Sequence, residues 1–190
     1  MKRLLATASI FALFSSQALA AFGGTVNQGA GAPSTPWSVG GLNQAVSAAP
    51  TVANSSHATN VSIGGLMSLG FFRTTSQPSA VLDSISLYFS DAVTTTMTVW
   101  VFNANPSAST CTDNSAFVLN SADISKLATA PFTITPAASG GTTSTFGSYT
   151  TTFSVKNSAS ATTLYVCVTV GATFTPAAND MTLVVSGVND

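Results

Sequence analysis

The chain has 190 residues, of which 45% are hydrophobic and only 6% are charged, and its formal net charge at pH 7 is −1. About a quarter of the residues are charged in ordinary globular domains. The composition argues against intrinsic disorder, because disordered chains are rich in charge and poor in apolar residues. It also argues against nucleic acid as a partner, because that affinity depends on clusters of Lys and Arg.

The N-terminus has the three parts of a secretory signal peptide. Lys2 and Arg3 precede a short apolar run, and small residues follow at positions 18 and 20. This pattern predicts a signal peptide over residues 1–20, cleaved between Ala20 and Ala21. The apolar run is shorter than the roughly 20 residues that cross a bilayer, so no membrane span is expected after cleavage. The expected location is secreted, extracellular or cell-surface, with the periplasm as an alternative.

Residues 21–60 are rich in Gly, Ala, Ser, Pro and Asn and show no steady periodicity. This composition predicts an extended N-terminal arm. Two interpretations are open: a loosely ordered tail, or an arm that docks on a neighbouring subunit through Trp37 and Leu42. The single histidine, His57, falls in this segment and is expected to be solvated.

Residues 61–190 are expected to form the folded domain, because alternating polar and apolar residues predict half-buried strands. In Val81–Ser90 the odd positions are apolar, with Asp83 as the exception, and Asn120–Ala128 is the one helical pattern, with Ser121 as its expected cap. The sequence predicts an all-β fold, an antiparallel β-sandwich of jelly-roll or immunoglobulin-like type. The other alternating runs contain Val93, Met97, Val99 and Val101; Tyr149, Phe153 and Val155; Leu164, Val166, Val168 and Val170; and Met181, Leu183 and Val185.

Two cysteines in an exported chain most simply form one disulfide. Cys111 follows the predicted strand that ends at Phe102, and Cys167 lies on the face of its strand opposite Leu164 and Val166. If that face is the outer one, the bridge would clamp a long loop across the outside of the sheet. Two free buried thiols are the alternative.

No arrangement typical of catalysis occurs in the sequence. Nucleophilic catalysis needs a base beside the nucleophile, and His57 has no such neighbour in the sequence. No catalytic residue, cofactor or metal is therefore expected, and the chain is not expected to be an enzyme. Asp113, Asn114 and Asp123 carry oxygens that suit Ca²⁺, but such side chains more often cap loops.

One stretch carries a family resemblance. A strand ends at Phe102, a loop follows with Asn105-Pro106-Ser107 and Thr112-Asp113-Asn114, and an Ala-Asp…Lys segment ends at Lys126. Over residues 80–135 this pattern resembles small tailed-phage structural proteins, of the head or decoration type. The resemblance implies a β-sandwich that packs on or within a particle, with no catalytic residues. Two interpretations reconcile it with the signal peptide: a domain of that type used outside the cell, or a virion protein whose apolar N-terminus is not a signal.

The nearly uncharged composition predicts a polar surface of Ser, Thr, Asn, Gly and Ala that lacks charge repulsion between copies. The first functional hypothesis is a non-enzymatic structural or surface protein, a subunit of an extracellular or virion-like assembly. It would self-associate or bind another surface protein. The alternative is a secreted module that binds a carbohydrate or another cell-surface ligand, with Trp37, Trp100 or Tyr165 stacking on a glycan. Trp37 and Trp100 are the candidate partner contacts.

Overall fold

The structure is a computed structural model in which residues 42–72, 79–138, 144–156 and 161–189 are described. Nine strands and one short helix follow each other along these residues. The helix is a 3-10 helix at Ser121–Lys126. The strands are β1 Leu42–Ala48, β2 Ser62–Gly70, β3 Ser79–Phe89, β4 Met97–Phe102, β5 Phe132–Ile134, β6 Ala137–Ala138, β7 Thr145–Lys156, β8 Thr163–Val170 and β9 Met181–Asn189.

The strands form two antiparallel sheets. The five-stranded sheet has the order β1-β9-β3-β7-β6, and the four-stranded sheet has the order β2-β8-β4-β5. With the two-residue strand β6 set aside, the other eight strands pair in a nested order around the connection between β4 and β5. From the innermost pair outwards, the pairs are β4–β5, β3–β7, β2–β8 and β1–β9. A long hairpin rolled up in this way gives the jelly-roll topology. The predicted β-sandwich is therefore confirmed, and its strand order is that of a jelly roll.

The hydrophobic core lies between the two sheets. Every second side chain of the long strands points into it, as the period-two pattern requires. Phe71 and Phe72, which follow β2, close one end of the core with their rings edge to face. The strand residues buried in this core include Ile63, Met67, Leu69, Leu82, Ile85, Leu87, Phe89, Met97, Val99, Val101, Leu164, Val166, Val168, Val170, Met181, Leu183 and Val185.

A bulge in β3 explains the one predicted strand whose phase was wrong. The pairing of β3 with β9 passes from Leu82↔Gly187 to Ser84↔Ser186, so Asp83 is an extra residue of β3 relative to β9. Against β7, which advances from Phe153 to Thr150 over the same step, the extra residue lies in β7. An inserted residue reverses which side chains face inward. Leu82 is therefore buried and Val81 is exposed, although Val81 was predicted to face the same way as Ile85.

The predicted boundary of the folded domain at residue 61 is too late. β1 pairs along its whole length with β9, from Leu42↔Asn189 to Ala48↔Leu183. Val52 is buried in the core. The part of the predicted arm from residue 42 onwards therefore belongs to the sandwich, and Leu42 lies in a strand. Residues 21–41, with Trp37, and the predicted signal peptide with its cleavage site at Ala20 and Ala21 lie outside the described residues.

The predicted helix at Asn120–Ala128 is present in a shorter and tighter form. The 3-10 helix is capped by Asn120, whose side chain accepts a hydrogen bond from the backbone N–H of Ala122. The expected cap, Ser121, is instead the first residue of the helix. Ile124, an apolar residue within this helix, is exposed.

Candidate functional site

The outer face of the four-stranded sheet is covered by the chain's own loop, which joins β4 to β5. Cys167 points outward from β8, yet it is fully buried because Cys111 of the loop lies over it. The two residues form a disulfide with their Cα atoms 6.2 Å apart. The predicted pairing is confirmed, and the bridge holds the loop against the outside of the sheet.

Hydrogen bonds fasten the same loop to β2. The backbone N–H of Ser62 donates to the carbonyl of Ser115, and the N–H of Asn114 donates to the carbonyl of Ser62, both at 2.9 Å. Within the loop, Thr110 and Val118 pair through both of their backbone groups. The loop is therefore an ordered layer on the sandwich rather than an open binding surface.

Asp123 organises the start of the 3-10 helix from a fully buried position. Its carboxylate accepts hydrogen bonds from the N–H of Ala108 at 2.9 Å and from the hydroxyl of Ser109 at 2.7 Å. The ammonium of Lys126 lies 2.7 Å from its second oxygen. The hydrogen bond from Lys126 lowers the pKa of Asp123, and this outweighs the effect of burial, which raises it.

Trp100, a candidate partner contact, packs within the chain. The centroid of its ring lies 4.8 Å from that of Phe117 in the covering loop. Its indole N–H points to the hydroxyl of Thr169 at 3.5 Å, and the side chain is half-buried. Tyr165, on the same sheet, is also half-buried. These contacts tie Trp100 to the covering loop, so it does not form a free stacking platform.

His57 was expected to be solvated, and this was wrong. It is fully buried and its backbone pairs with that of Phe174. Its Nε2 lies 3.1 Å from a carboxylate oxygen of Asp113, and its Nδ1 lies 2.9 Å from the carbonyl oxygen of Ser55. Both partners are acceptors, so both contacts are hydrogen bonds only when the ring carries two N–H groups. His57 thus ties the segment before β2 to the covering loop.

Asp113 is the centre of this cluster. It accepts hydrogen bonds from the N–H groups of Gly64 at 2.7 Å and Ala53 at 2.8 Å, in addition to that from His57. Gly64 can turn its N–H towards the carboxylate because its φ is +75°, a conformation that glycine adopts readily. Burial raises the pKa of Asp113, but these hydrogen bonds together outweigh burial and leave the pKa below its ordinary value.

The two acidic residues considered for Ca²⁺ therefore act in loop capping. Asp113 and Asp123 each direct their oxygens at backbone N–H groups of neighbouring segments. Among the residues that the structure describes, no group of three or more His, Cys, Asp or Glu side chains is placed to hold a metal ion.

The outer face of the five-stranded sheet carries no covering segment among the described residues. Its outward positions form cross-strand rows, such as Asn43–Val188–Val81–Ser154 and Ser47–Val184–Ser86–Ser148. The only charged side chains at the outward positions of β1, β3, β7 and β9 are Asp83, at the bulge, and Lys156, at the end of β7. Val81 is 41% exposed at the centre of the first row. We call this surface the uncharged face.

At the far end of the same sheet, two aromatic rings line a groove. Tyr88 of β3 and Phe146 of β7 are cross-strand partners, and their rings stack with centroids 5.4 Å apart and planes 22° apart. They are 43% and 44% exposed. The groove has a volume of about 530 Å³, which lies within the range of small-molecule sites. The other lining residues are Phe89, Ser90, Ser144, Thr145, Asn179, Asp180 and Thr182.

Asp180 is the acidic residue of this groove, and it is 6% exposed. Its Oδ1 accepts hydrogen bonds from the backbone N–H groups of Ser90 at 2.5 Å and Asp91 at 3.1 Å, and from the hydroxyl of Ser90. Its Oδ2 is buried and has no hydrogen-bond partner among the described residues. A buried carboxylate oxygen without a donor is costly, so this oxygen marks a place where a ligand could supply the missing hydrogen bond.

Sequence reasoning did not find this groove. Tyr88 occupies an even position of the predicted strand Val81–Ser90, whose odd positions were predicted to be the apolar ones, and neither it nor Phe146 nor Asp180 was singled out. One signal was available, because Tyr88 is the only aromatic residue among the serines of the outward face of β3. The pairing of Tyr88 with Phe146 and the approach of Asp180 depend on the register of three strands, which the sequence does not specify by itself.

The described residues contain no helix long and apolar enough to cross a membrane. Comparisons of the chain with protein-family models, with curated proteins and with solved structures found no match.

Proposed function

We propose that this protein is a non-enzymatic structural or surface protein, a subunit of an extracellular or virion-like assembly, and that copies join through the uncharged face. The observation that carries the proposal is the difference between the two sheets. The four-stranded sheet is covered by a loop held by a disulfide, whereas no described segment covers the outer face of the five-stranded sheet, where Val81 is 41% exposed near the start of β3.

The composition of the uncharged face suits a second copy of the same chain. Two copies of one surface can meet about a two-fold axis, and each residue then lies near its own counterpart. A charged face would repel itself in that arrangement, whereas rows of Val, Ser, Thr and Asn would not. The jelly-roll topology and the resemblance of residues 80–135 to small tailed-phage structural proteins point the same way, by analogy of fold and pattern.

Export from the cytoplasm is part of the proposal. The disulfide between Cys111 and Cys167 supports it, because such bonds persist mainly in oxidising compartments. The charge and apolar pattern of residues 1–20 supports it independently.

The variant Val81→Arg tests the proposed contact. We expect it to reduce the average mass measured by light scattering to that of one chain, because each interface would bury two unpaired cations close to each other. The control is Val118→Arg, which adds the same side chain at a residue that is 58% exposed in the covering loop. The control should assemble as the unchanged protein does. Equal masses for the unchanged protein and Val81→Arg, both above one chain, would show that another surface makes the contact.

A further inference from the structure

We propose that the groove beside Tyr88 and Phe146 binds a neutral saccharide. This inference is independent of the proposed assembly, because the groove and Val81 lie at opposite ends of the outer face. Tyr88 is seven positions along β3 from Val81, which corresponds to about 20 Å at the rise of a strand.

The two aromatic rings define the apolar part of the ligand. Exposed aromatic side chains are costly to leave in water, and the faces of their rings carry partial negative charge. The ring C–H groups of a pyranose are weakly positive and lie on one face of the sugar, so they can stack on such a surface. Tyr88 and Phe146 together offer a platform wider than one ring, since their centroids are 5.4 Å apart.

The polar lining defines the other part of the ligand. A carboxylate oxygen accepts hydrogen bonds and does not donate them. The unpartnered Oδ2 of Asp180 therefore calls for a donor such as a hydroxyl group. Asn179, which also lines the groove, accepts from the N–H of Val52 through its Oδ1 at 3.2 Å, and its side-chain amide carries N–H groups that can donate to a ligand. The groove thus offers both an acceptor and a donor beside the aromatic rings, as a sugar with several hydroxyl groups requires.

The charge of the groove selects against anionic ligands. Asp180 lines it, Asp91 follows Ser90 at its edge, and none of its lining residues is cationic. A phosphate, a sulfated glycan or a nucleic acid would meet like charge without a compensating Lys or Arg. The volume of about 530 Å³ suits a ligand of one or two sugar rings.

Calorimetric titration of the exported protein with maltotetraose, cellotetraose and chitotetraose tests the inference, with a heparin tetrasaccharide as the anionic comparison. We expect at least one neutral tetrasaccharide to bind and the heparin fragment not to bind. Tyr88→Leu, which keeps an apolar side chain but removes the ring, should weaken binding about tenfold or more. Tyr149→Leu is the matched control, because Tyr149 is an exposed tyrosine of β7 that packs on Phe132 away from the groove.

Asp180→Asn separates binding from folding. The variant keeps Oδ1, which accepts the bonds from Ser90 and Asp91, and replaces only the unpartnered oxygen. We expect a similar melting temperature and about tenfold weaker binding of the sugar, the loss expected for one hydrogen bond to a charged group.

The inference is overturned if no neutral tetrasaccharide binds, or if Tyr88→Leu and Asp180→Asn bind as tightly as the unchanged protein. Light scattering on the same variants should show unaltered assembly, so either proposal can fail without the other.

Discussion

Removal of the disulfide by the double variant Cys111→Ala, Cys167→Ala is expected to lower the free energy of unfolding by about 4 kcal/mol. The two residues are 56 positions apart, so the bond closes a long loop in the unfolded chain. Without it, the unfolded chain gains conformational entropy, and the covering loop loses its covalent attachment to β8. Urea unfolding followed by tryptophan fluorescence would measure the change.

The control for this variant is Val118→Ala, an exposed position on the same loop, which should change the free energy of unfolding by no more than about 0.5 kcal/mol. Chemical reduction of the unchanged protein should reproduce the effect of the double variant. A loss below about 1 kcal/mol in both experiments would mean that hydrogen bonds alone hold the loop on the sheet.

Asp113→Ala is expected to lower the free energy of unfolding by about 3 kcal/mol, because it removes the acceptor of three hydrogen bonds, one of which comes from the buried ring of His57. The N–H groups of Gly64 and Ala53 and the ring of His57 all lose their partner. Thr112→Ala is the matched control, since Thr112 is an exposed neighbour of Asp113 in the same loop. Equal losses for the two variants would contradict the central role of Asp113.

The same residue predicts how stability depends on pH. The pKa of Asp113 is lowered in the folded protein, so its contribution is present above the pKa of an unfolded aspartate, about 3.9. That contribution is lost as the pH falls through the lower, folded value. Asp123 has the same sign. The difference in unfolding free energy between the unchanged protein and Asp113→Asn should therefore shrink below about pH 4. A difference that is constant with pH would contradict this account.

The strands could be predicted because their alternation is strict and their inward residues are apolar. Leu164, Val166 and Val168 of β8 and Leu183 and Val185 of β9 are buried as expected. The sequence also contained one indication of the bulge in β3, because Asp83 interrupts the alternation of apolar residues in Val81–Ser90. That residue was treated as an exception within one register, whereas it is the point at which the register changes.

The segment before residue 61 could not be predicted from periodicity. β1 is an edge strand whose outward residues Asn43, Ala45 and Ser47 are small or polar, and whose inward residues are only half-buried. The position of His57 depends on Asp113, which is 56 residues further along the chain. Contacts across such separations leave no local signal, so a buried histidine and a solvated one have the same appearance in the sequence.

The central claim, assembly of an exported chain, is tested most directly by light scattering together with electron microscopy on the natively exported protein. The sample should begin at Ala21, which its mass would verify. We expect a mass of several chains and regular particles or filaments, dispersed by Val81→Arg but not by Val118→Arg. A monodisperse single chain at every concentration would contradict assembly as the role of this protein.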